Sequence, residues 1–299
     1  MGLYLRPRTL ADALAGLADP KLNPPGSKDD RLTVLAGGTD FYPAQTARRA
    51  WLEETPQNVL DIWGIDELRR IRRSSEGTTF GALSTWTDIS EAELQPAFHA
   101  LKSAAHDVGG RQVQNRGTIG GNICNASPAA DGVPPLLALD ASVEISSVRG
   151  QRTLPLGAFI TGNRRTALAP DELVTAVHVP PQSDEGRSVF LKLGARSYLL
   201  ISIVSVAAVI SCGGDGRISE AAIAVGACSA VPVRLAALEE NLRGRVPREV
   251  EPLIHSIVAS ALSPIDDVRG TATYRRHAAA VLIRRALAEL VPASSRAAA

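Results

Sequence analysis

Apolar positions fall into three stretches with different periods. Leu10, Leu14 and Leu17 recur at helical spacing behind Thr9 and Asp12, which predicts a capped helix of about ten residues. The segment LNPPGSKDD (22–30) has loop composition, and RLTVLAGG after it reads as a buried strand running into a glycine turn. A second stretch begins near Pro56. Here NVLDI and GTTFGALST predict strands, and Ser90 with Glu93 predicts a capping box before a helix over 97–108, stopped by Gly109 and Gly110. The run RQVQNRGTIGGNICNASPAADGVPP (111–135) has no clean period and reads as a functional loop. SVEISSV, the turn RGQR and ELVTAVHVP then supply further strands. From about Pro181, FLKLGAR, VSVAAVIS and ISEAAIAVGA predict a three-stranded antiparallel meander, with CGGDG as a turn. Three helical patterns, VRLAALEENLRG, VEPLIHSIVASAL and YRRHAAAVLIRRALAELV, close the chain before the tail PASSRAAA, and no repeat of fixed period is present.

Composition narrows the class of protein. A length of 299 residues is enough for about two domains. Lys plus Arg (32) nearly cancel Asp plus Glu (31), so no electrostatic footprint for nucleic acid or an anionic membrane exists. The three cysteines, Cys124, Cys212 and Cys228, are far apart, which argues against a disulfide framework, a four-cysteine zinc site and an iron–sulfur cluster held within this chain. The opening MGLYLRPRTL lacks an apolar signal core, and the longest apolar run, Tyr198 to Ile210, is too short to span a membrane. A cytoplasmic protein with reduced thiols is expected.

Candidate chemistry lies in two short segments: Ala36, Gly37, Gly38, Thr39 and Asp40 after the strand LTVL, and Thr118, Ile119, Gly120, Gly121 and Asn122 inside the polar run. Paired glycines let consecutive N–H groups point into one concavity that suits phosphate oxygens, and Thr39, Thr118 and Asn122 add side-chain donors at the rim. Neither segment fits the dinucleotide G-x-G-x-x-G pattern or a P-loop, so plain turns stand beside phosphate binding as the alternative. His99, His106, His178, His255 and His277 show no metal-ligand spacing, Cys124 has no base close in sequence, and Cys212 and Cys228 read as small core residues. Arg69, Arg70, Arg72 and Arg73 read as a solvated face.

Taken together, AGGTDFYP (36–43) and RQVQNRGTIGGNICNASPAADGVPPLLALDA (111–141) resemble the FAD-binding medium subunit of molybdenum hydroxylases, the family of carbon monoxide dehydrogenase and bacterial xanthine dehydrogenase flavoprotein chains. The likeness runs over nearly the whole chain, including YLRPRTLADALAGL, FLKLGARSYLLISIVSVAAVIS and YRRHAAAVLIRRAL. It implies an α+β protein: a two-lobed, PCMH-like, FAD-binding α/β domain over 1–180, with lobes of about 1–55 and 56–180, then a C-terminal domain over 181–292 and a tail over 293–299. The C-terminal domain would combine the three-stranded antiparallel sheet with a three-helix bundle.

The resemblance further implies that 36–40 and 118–122 hold the FAD pyrophosphate through main-chain N–H groups. Asp131 matches a family position that bonds the adenosine side of the cofactor, and Val108 with Leu173 or Val174 matches apolar contacts near the nucleotide. Lys192 matches a lysine near the flavin, and Tyr198 falls where some members place an aromatic ring. Members commonly have an aspartate about two residues past that ring, where Leu199 and Leu200 stand here. Related covalent flavoproteins carry histidine after the first glycine pair, where Thr39 stands here, so FAD is expected to be non-covalent. The cysteine-rich insertion of one reductase branch is absent from the sequence.

The implied function is an electron-transfer subunit. Partners would be a large subunit with the molybdenum (molybdopterin) cofactor and a small subunit with two [2Fe-2S] clusters, arranged as a dimer of heterotrimers. Two other readings compete: a self-contained FAD oxidase or dehydrogenase of a small organic substrate, and a non-catalytic binding module whose glycine loops are only turns.

Overall fold

The computed structural model describes residues 2–24, 31–53, 58–196 and 200–291. Its first lobe is a parallel sheet of β1 (Tyr4–Leu5), β2 (Thr33–Leu35) and β3 (Val59–Asp61), with β3 in the middle. Helix α1 (Leu10–Ala18) starts as the sequence predicts: the Thr9 hydroxyl accepts the Asp12 N–H at 3.1 Å. Its apolar stripe buries Ala13, Leu14 and Leu17 in a cluster with Leu60, Ile62 and Ile65. A second helix, α2 (Phe41–Ala50), is not signalled by any apolar period. Since β3 completes this sheet, NVLDI belongs to the first lobe, and the junction falls beyond the expected 55.

The second lobe is an antiparallel sheet whose first strands are β4 (Ile71–Ser74) and β5 (Gly77–Gly81). Helices α3 (Trp86–Glu91), α4 (His99–Asp107), α5 (Arg111–Gln114), α6 (Ile119–Asn125) and α7 (Val133–Ala138) follow. Strands β6 (Ser142–Ser147) and β7 (Gly150–Pro155) lead through α8 (Leu156–Phe159) and the small hairpin of β8 (Ile160–Gly162) and β9 (Arg165–Thr166) to β10 (Leu173–Val179). Sheet order is β4-β5-β10-β6-β7.

Two expectations need correction here. The capping box is Thr85 with Asp88, not Ser90 with Glu93, and Ser90 lies inside α3 with its hydroxyl bonded back to the Thr87 carbonyl. The 111–135 run is not a continuous irregular loop, because α5, α6 and the start of α7 interrupt it. Those helices are four to seven residues long, too short for a helical period to stand out from its flanks.

The third unit contains β11 (Arg187–Leu193), β12 (Val204–Cys212), β13 (Ile218–Gly226) and β14 (Val233–Arg234) in that order, all antiparallel. The expected three-stranded meander thus carries a fourth strand of two residues. Helices α9 (Ala236–Leu242), α10 (Pro247–Ala261) and α11 (Ala272–Leu290) pack on one side. In β12 every residue but the last is buried because both faces are covered. Val206, Ala208 and Ile210 face the helices, whereas Ala207 and Val209 join Phe190, Ala222 and Ala224 in the core of the second lobe. The C-terminal sheet therefore shares a hydrophobic core with the second lobe.

Candidate functional site

A cleft of about 560 Å³ opens at the carboxyl end of the parallel sheet, between the two lobes. That edge is where α/β sheets present loops to ligands. Ala36 to Asp40 form one wall as the turn from β2 into α2, and Thr118, Gly120, Gly121 and Asn122 from the N-terminal turn of α6 form another. Val108, Leu173 and Val174 also line it.

Close approach of neighbouring backbone explains one glycine in each loop. A Cβ on Gly37 would stand 1.7 Å from the Arg116 carbonyl oxygen, and one on Gly120 would stand 2.7 Å from the Ala82 carbonyl oxygen. Gly38 has φ +79°, the left-handed region that turns the chain into α2.

The loops differ in what they offer a ligand. Among the described residues, the N–H groups of Gly37, Gly38, Thr39 and Asp40 meet no acceptor. They stand at the N-terminus of α2, where the helix dipole is positive. In the second loop four of the five N–H groups are already used, that of Thr118 excepted: Ile119 bonds Ser84 O (3.0 Å), Gly120 bonds Ala82 O (2.9 Å), Gly121 bonds the Thr118 hydroxyl (3.0 Å) and Asn122 bonds Thr118 O (2.9 Å). The first loop therefore offers the longer run of free N–H groups, and the second offers the Thr118 N–H, its shape and its side chains. Asn122 Oδ1 is buried without a partner, a polar atom that a bound group would satisfy.

Asp40 is the one charged side chain among the described lining residues, so an anion here is met by main-chain dipoles and not by Lys or Arg. Asp40 Oδ1 accepts from Asn125 Nδ2 at 3.0 Å, and Asn125 Oδ1 accepts from Arg164, which ties the first loop to the hairpin of the second lobe.

The remaining expected residues lie elsewhere. Ile119 is fully buried behind the cleft. Asp131 and Lys192 form an ion pair at 2.5 Å that joins the second lobe to β11. Ser202 donates to the other Asp131 oxygen at 2.6 Å, and Lys192 also donates to Asp107 O at 3.2 Å. Burial pushes the Asp131 carboxyl up, opposed by Lys192 and by the Ser202 hydroxyl. Lys192 borders a second hollow of about 400 Å³ with Asp107, Arg196 and Leu200. Asp107, which borders the second hollow, and Val108, which lines the first, are consecutive. Tyr198 lies outside the described residues.

Residues that sequence reasoning missed include Phe41, Ile62, Trp86, Cys124, Asn125 and Leu168. Most are apolar and look like core in a linear reading. Trp86 carried one usable signal, since Gly117 and Gly132 both pack against its ring, where a Cβ would come within 3.1 Å and 2.3 Å. Cys124 opens on the cleft and Cys228 is fully buried, and burial pushes both thiols up to about 12. Arg69 is not simply solvated, for its guanidinium and that of Arg116 lie 4.0 and 3.7 Å from the Trp63 ring centroid. Among the described residues, no group of three or more His, Cys, Asp or Glu side chains is placed to hold a metal ion, and no helix is long and apolar enough to cross a membrane.

A parallel sheet with an anion-ready turn, a cleft with apolar walls and a C-terminal unit bordering a second hollow define a nucleotide-cofactor-binding protein. Comparison with known proteins specifies the cofactor. Residues 1–182 match the FAD binding domain in molybdopterin dehydrogenase, and residues 190–290 match the CO dehydrogenase flavoprotein C-terminal domain. The chain is 33% identical over 297 residues to the xanthine dehydrogenase FAD-binding subunit of Escherichia coli O157:H7, covering 97% of this chain and 96% of that one. It is 34% identical over 265 residues to the nicotinate dehydrogenase FAD-subunit of Eubacterium barkeri, covering 85% and 86%. Among solved structures, reconstituted CO dehydrogenase from Oligotropha carboxidovorans superposes with a TM-score of 0.87 at 27% identity, covering 96% of each chain. The chain belongs to the FAD-binding subunit family of molybdenum hydroxylases.

Proposed function

We infer that this chain holds FAD non-covalently across the two hollows and relays electrons within a molybdenum hydroxylase. The observation that carries this reading is the run of acceptor-free N–H groups from Gly37 to Asp40 at the head of α2, aimed into a cleft without cationic side chains. Those groups would take the diphosphate, Asn122 would supply its unpartnered oxygen to a donor on the cofactor, and Val108, Leu173 and Val174 would pack against its apolar surfaces. Lys192, steadied by Asp131 and Ser202, would present its ammonium at the edge of the second hollow, next to the flavin ring. Bound flavin supplies a redox centre able to exchange one or two electrons. The protein places it, dries one side of it and leaves another side open.

Electrons would come from [2Fe-2S] clusters on a small partner subunit, fed by a molybdenum cofactor on a large one, in a cytoplasmic dimer of heterotrimers. A self-contained oxidase would need a proton acceptor in the cleft. The described lining holds only the Asp40 carboxylate, which is engaged by Asn125.

Stripping flavin from the purified chain and titrating FAD back tests the reading. The visible flavin spectrum should return at one FAD per chain, FMN should bind far more weakly, and FAD should slow alkylation of Cys124 by iodoacetamide. A chain that takes up no FAD, or whose Cys124 alkylates equally fast with and without it, overturns the proposal.

A further inference from the structure

Helix α11 buries a row of Ala, Leu and Ile side chains with one exception, Arg275, which is only 3% exposed. An apolar side chain of similar length would fill this space at least as favourably, because the desolvation of a buried ion pair need not be offset by its Coulombic gain. Stability alone does not account for an arginine here.

Its bonds do. One guanidinium nitrogen, Nη1, donates to the Ile203 carbonyl at 2.8 Å and to the Ala227 carbonyl at 2.9 Å, while Nη2 is fixed by Asp267 at 2.6 Å. Each carbonyl leads to the Asp131–Lys192 pair by a separate route. Ile203 follows Ser202, whose hydroxyl donates to Asp131, and both lie outside the strand ladder that begins at Val204. The Ile203 backbone is pinned by its N–H to Leu193 O at 2.9 Å and by its carbonyl to Arg275. On the other route, Ala227 stands just past β13 and its N–H donates to Pro128 O at 2.8 Å, in the loop that carries Asp131. Ala227 has φ +62°, a left-handed conformation unfavourable for alanine, and both its N–H and its carbonyl are bonded in it. Local strain is thus maintained where the two routes meet at one guanidinium.

We propose that Arg275 is a positioning residue for Lys192. Through Ser202 on one side and the Pro128–Asp131 loop on the other, it holds the Asp131 carboxylate where that group fixes the Lys192 ammonium at the edge of the second hollow. The proposal rests on the placement of the flavin ring beside Lys192 given above. An ammonium held there favours the reduced, more negatively charged flavin, so its position sets the midpoint potential.

The test measures the midpoint potential of bound FAD by dye-coupled reductive titration of the full chain, with Tm alongside. Arg275→Met should move the potential about 30 mV negative, a tenfold change in the balance of oxidised and reduced flavin for a two-electron couple. Arg275→Lys keeps a cation beside Asp267 but lacks the guanidinium fork, so it should fold and shift the potential the same way by less. Leu287→Ala, a packing change at another buried site of α11, should lower Tm and leave the potential at its wild-type value. In an Asp131→Asn/Lys192→Met background the pair is gone, and Arg275→Met should add no further shift. In the flavin-free chain, acetylation of Lys192 should quicken several-fold in Arg275→Met and keep its wild-type rate in Leu287→Ala. A wild-type potential in both Arg275 variants, or an equal shift in Leu287→Ala, overturns the proposal. A wild-type potential in Asp131→Asn/Lys192→Met instead overturns the placement of the flavin beside Lys192. The two failures are distinct, because acetylation of Lys192 reads the action of Arg275 without any flavin.

Discussion

Gly37 and Arg116 belong to different lobes, yet a single added carbon on Gly37 would lie 1.7 Å from the Arg116 carbonyl oxygen. This contact is the seam at which the cofactor cleft is closed. Gly37→Ala must push the loops apart, at a cost of about 1–3 kcal/mol for overpacking, so both Tm and FAD affinity should fall. Gly121→Ala is the contrasting case. Its Cβ would meet only the Thr118 hydroxyl, at 2.9 Å, and would otherwise enter the cleft, so FAD affinity should drop at least tenfold while the flavin-free Tm changes little. Thermal unfolding with and without FAD separates the two, and equal Tm losses would contradict the assignment of Gly121 to the cleft surface.

The Asp131–Lys192 pair is the second joint, with both side chains about 10% exposed. Lys192→Met leaves Asp131 buried with only Ser202 to bond it, which should destabilise the chain by about 3–5 kcal/mol in urea unfolding. Adding Asp131→Asn should recover part of that loss, because the uncompensated charge is then gone. Additive losses in the double variant would show that the pair is not coupled.

The exposed link from Asp40 through Asn125 to Arg164 starts from two residues that line the cleft. Asn125→Ala should quicken FAD release by about two- to tenfold, corresponding to about 0.5–1.5 kcal/mol for an intramolecular hydrogen bond. Stopped-flow release into excess apo-flavoprotein measures this. An unchanged off-rate would mean that the link does not gate the cofactor.

Acid should loosen two peripheral anchors. Burial works against ionisation of Asp267, but the Arg269 N–H and the Arg275 guanidinium outweigh it and hold this carboxyl at about 2. Glu172 is likewise held below the ordinary carboxylate range, chiefly by its hydrogen bonds from Arg152. A depressed native pKa means that the stabilisation is present above the unfolded value and is lost as pH falls through the native one. For Asp267 that window runs from its unperturbed 3.8 down to about 2. Asp267→Asn should therefore lower Tm at neutral pH and flatten its decline across that window. A variant whose acid profile parallels wild type would contradict the role given to Asp267.

Much of this molecule is legible in the linear chain. Thr9 with Asp12, the apolar rows of α1 and the strands of the C-terminal sheet follow from propensity and period, which are local properties. The motifs AGGTD and TIGGN carry the resemblance to the cofactor family, and close backbone approach accounts for their glycines. Where side chains go was not legible. TIGGN reads as a phosphate nest, yet four of its five N–H groups are spent on Ser84, Ala82 and Thr118, because only the folded chain brings the 82–84 turn against it. Asp131 and Lys192 match separate cofactor positions in sequence and turn out to face each other. By itself the sequence determined α1, the three long C-terminal strands and the helices after them, the family and the two glycine loops. Tertiary structure alone decided which N–H groups of those loops stay free, which residues bridge the lobes, and that α2 stands without a core, because hydrogen-bond satisfaction and burial are settled by neighbours distant along the chain.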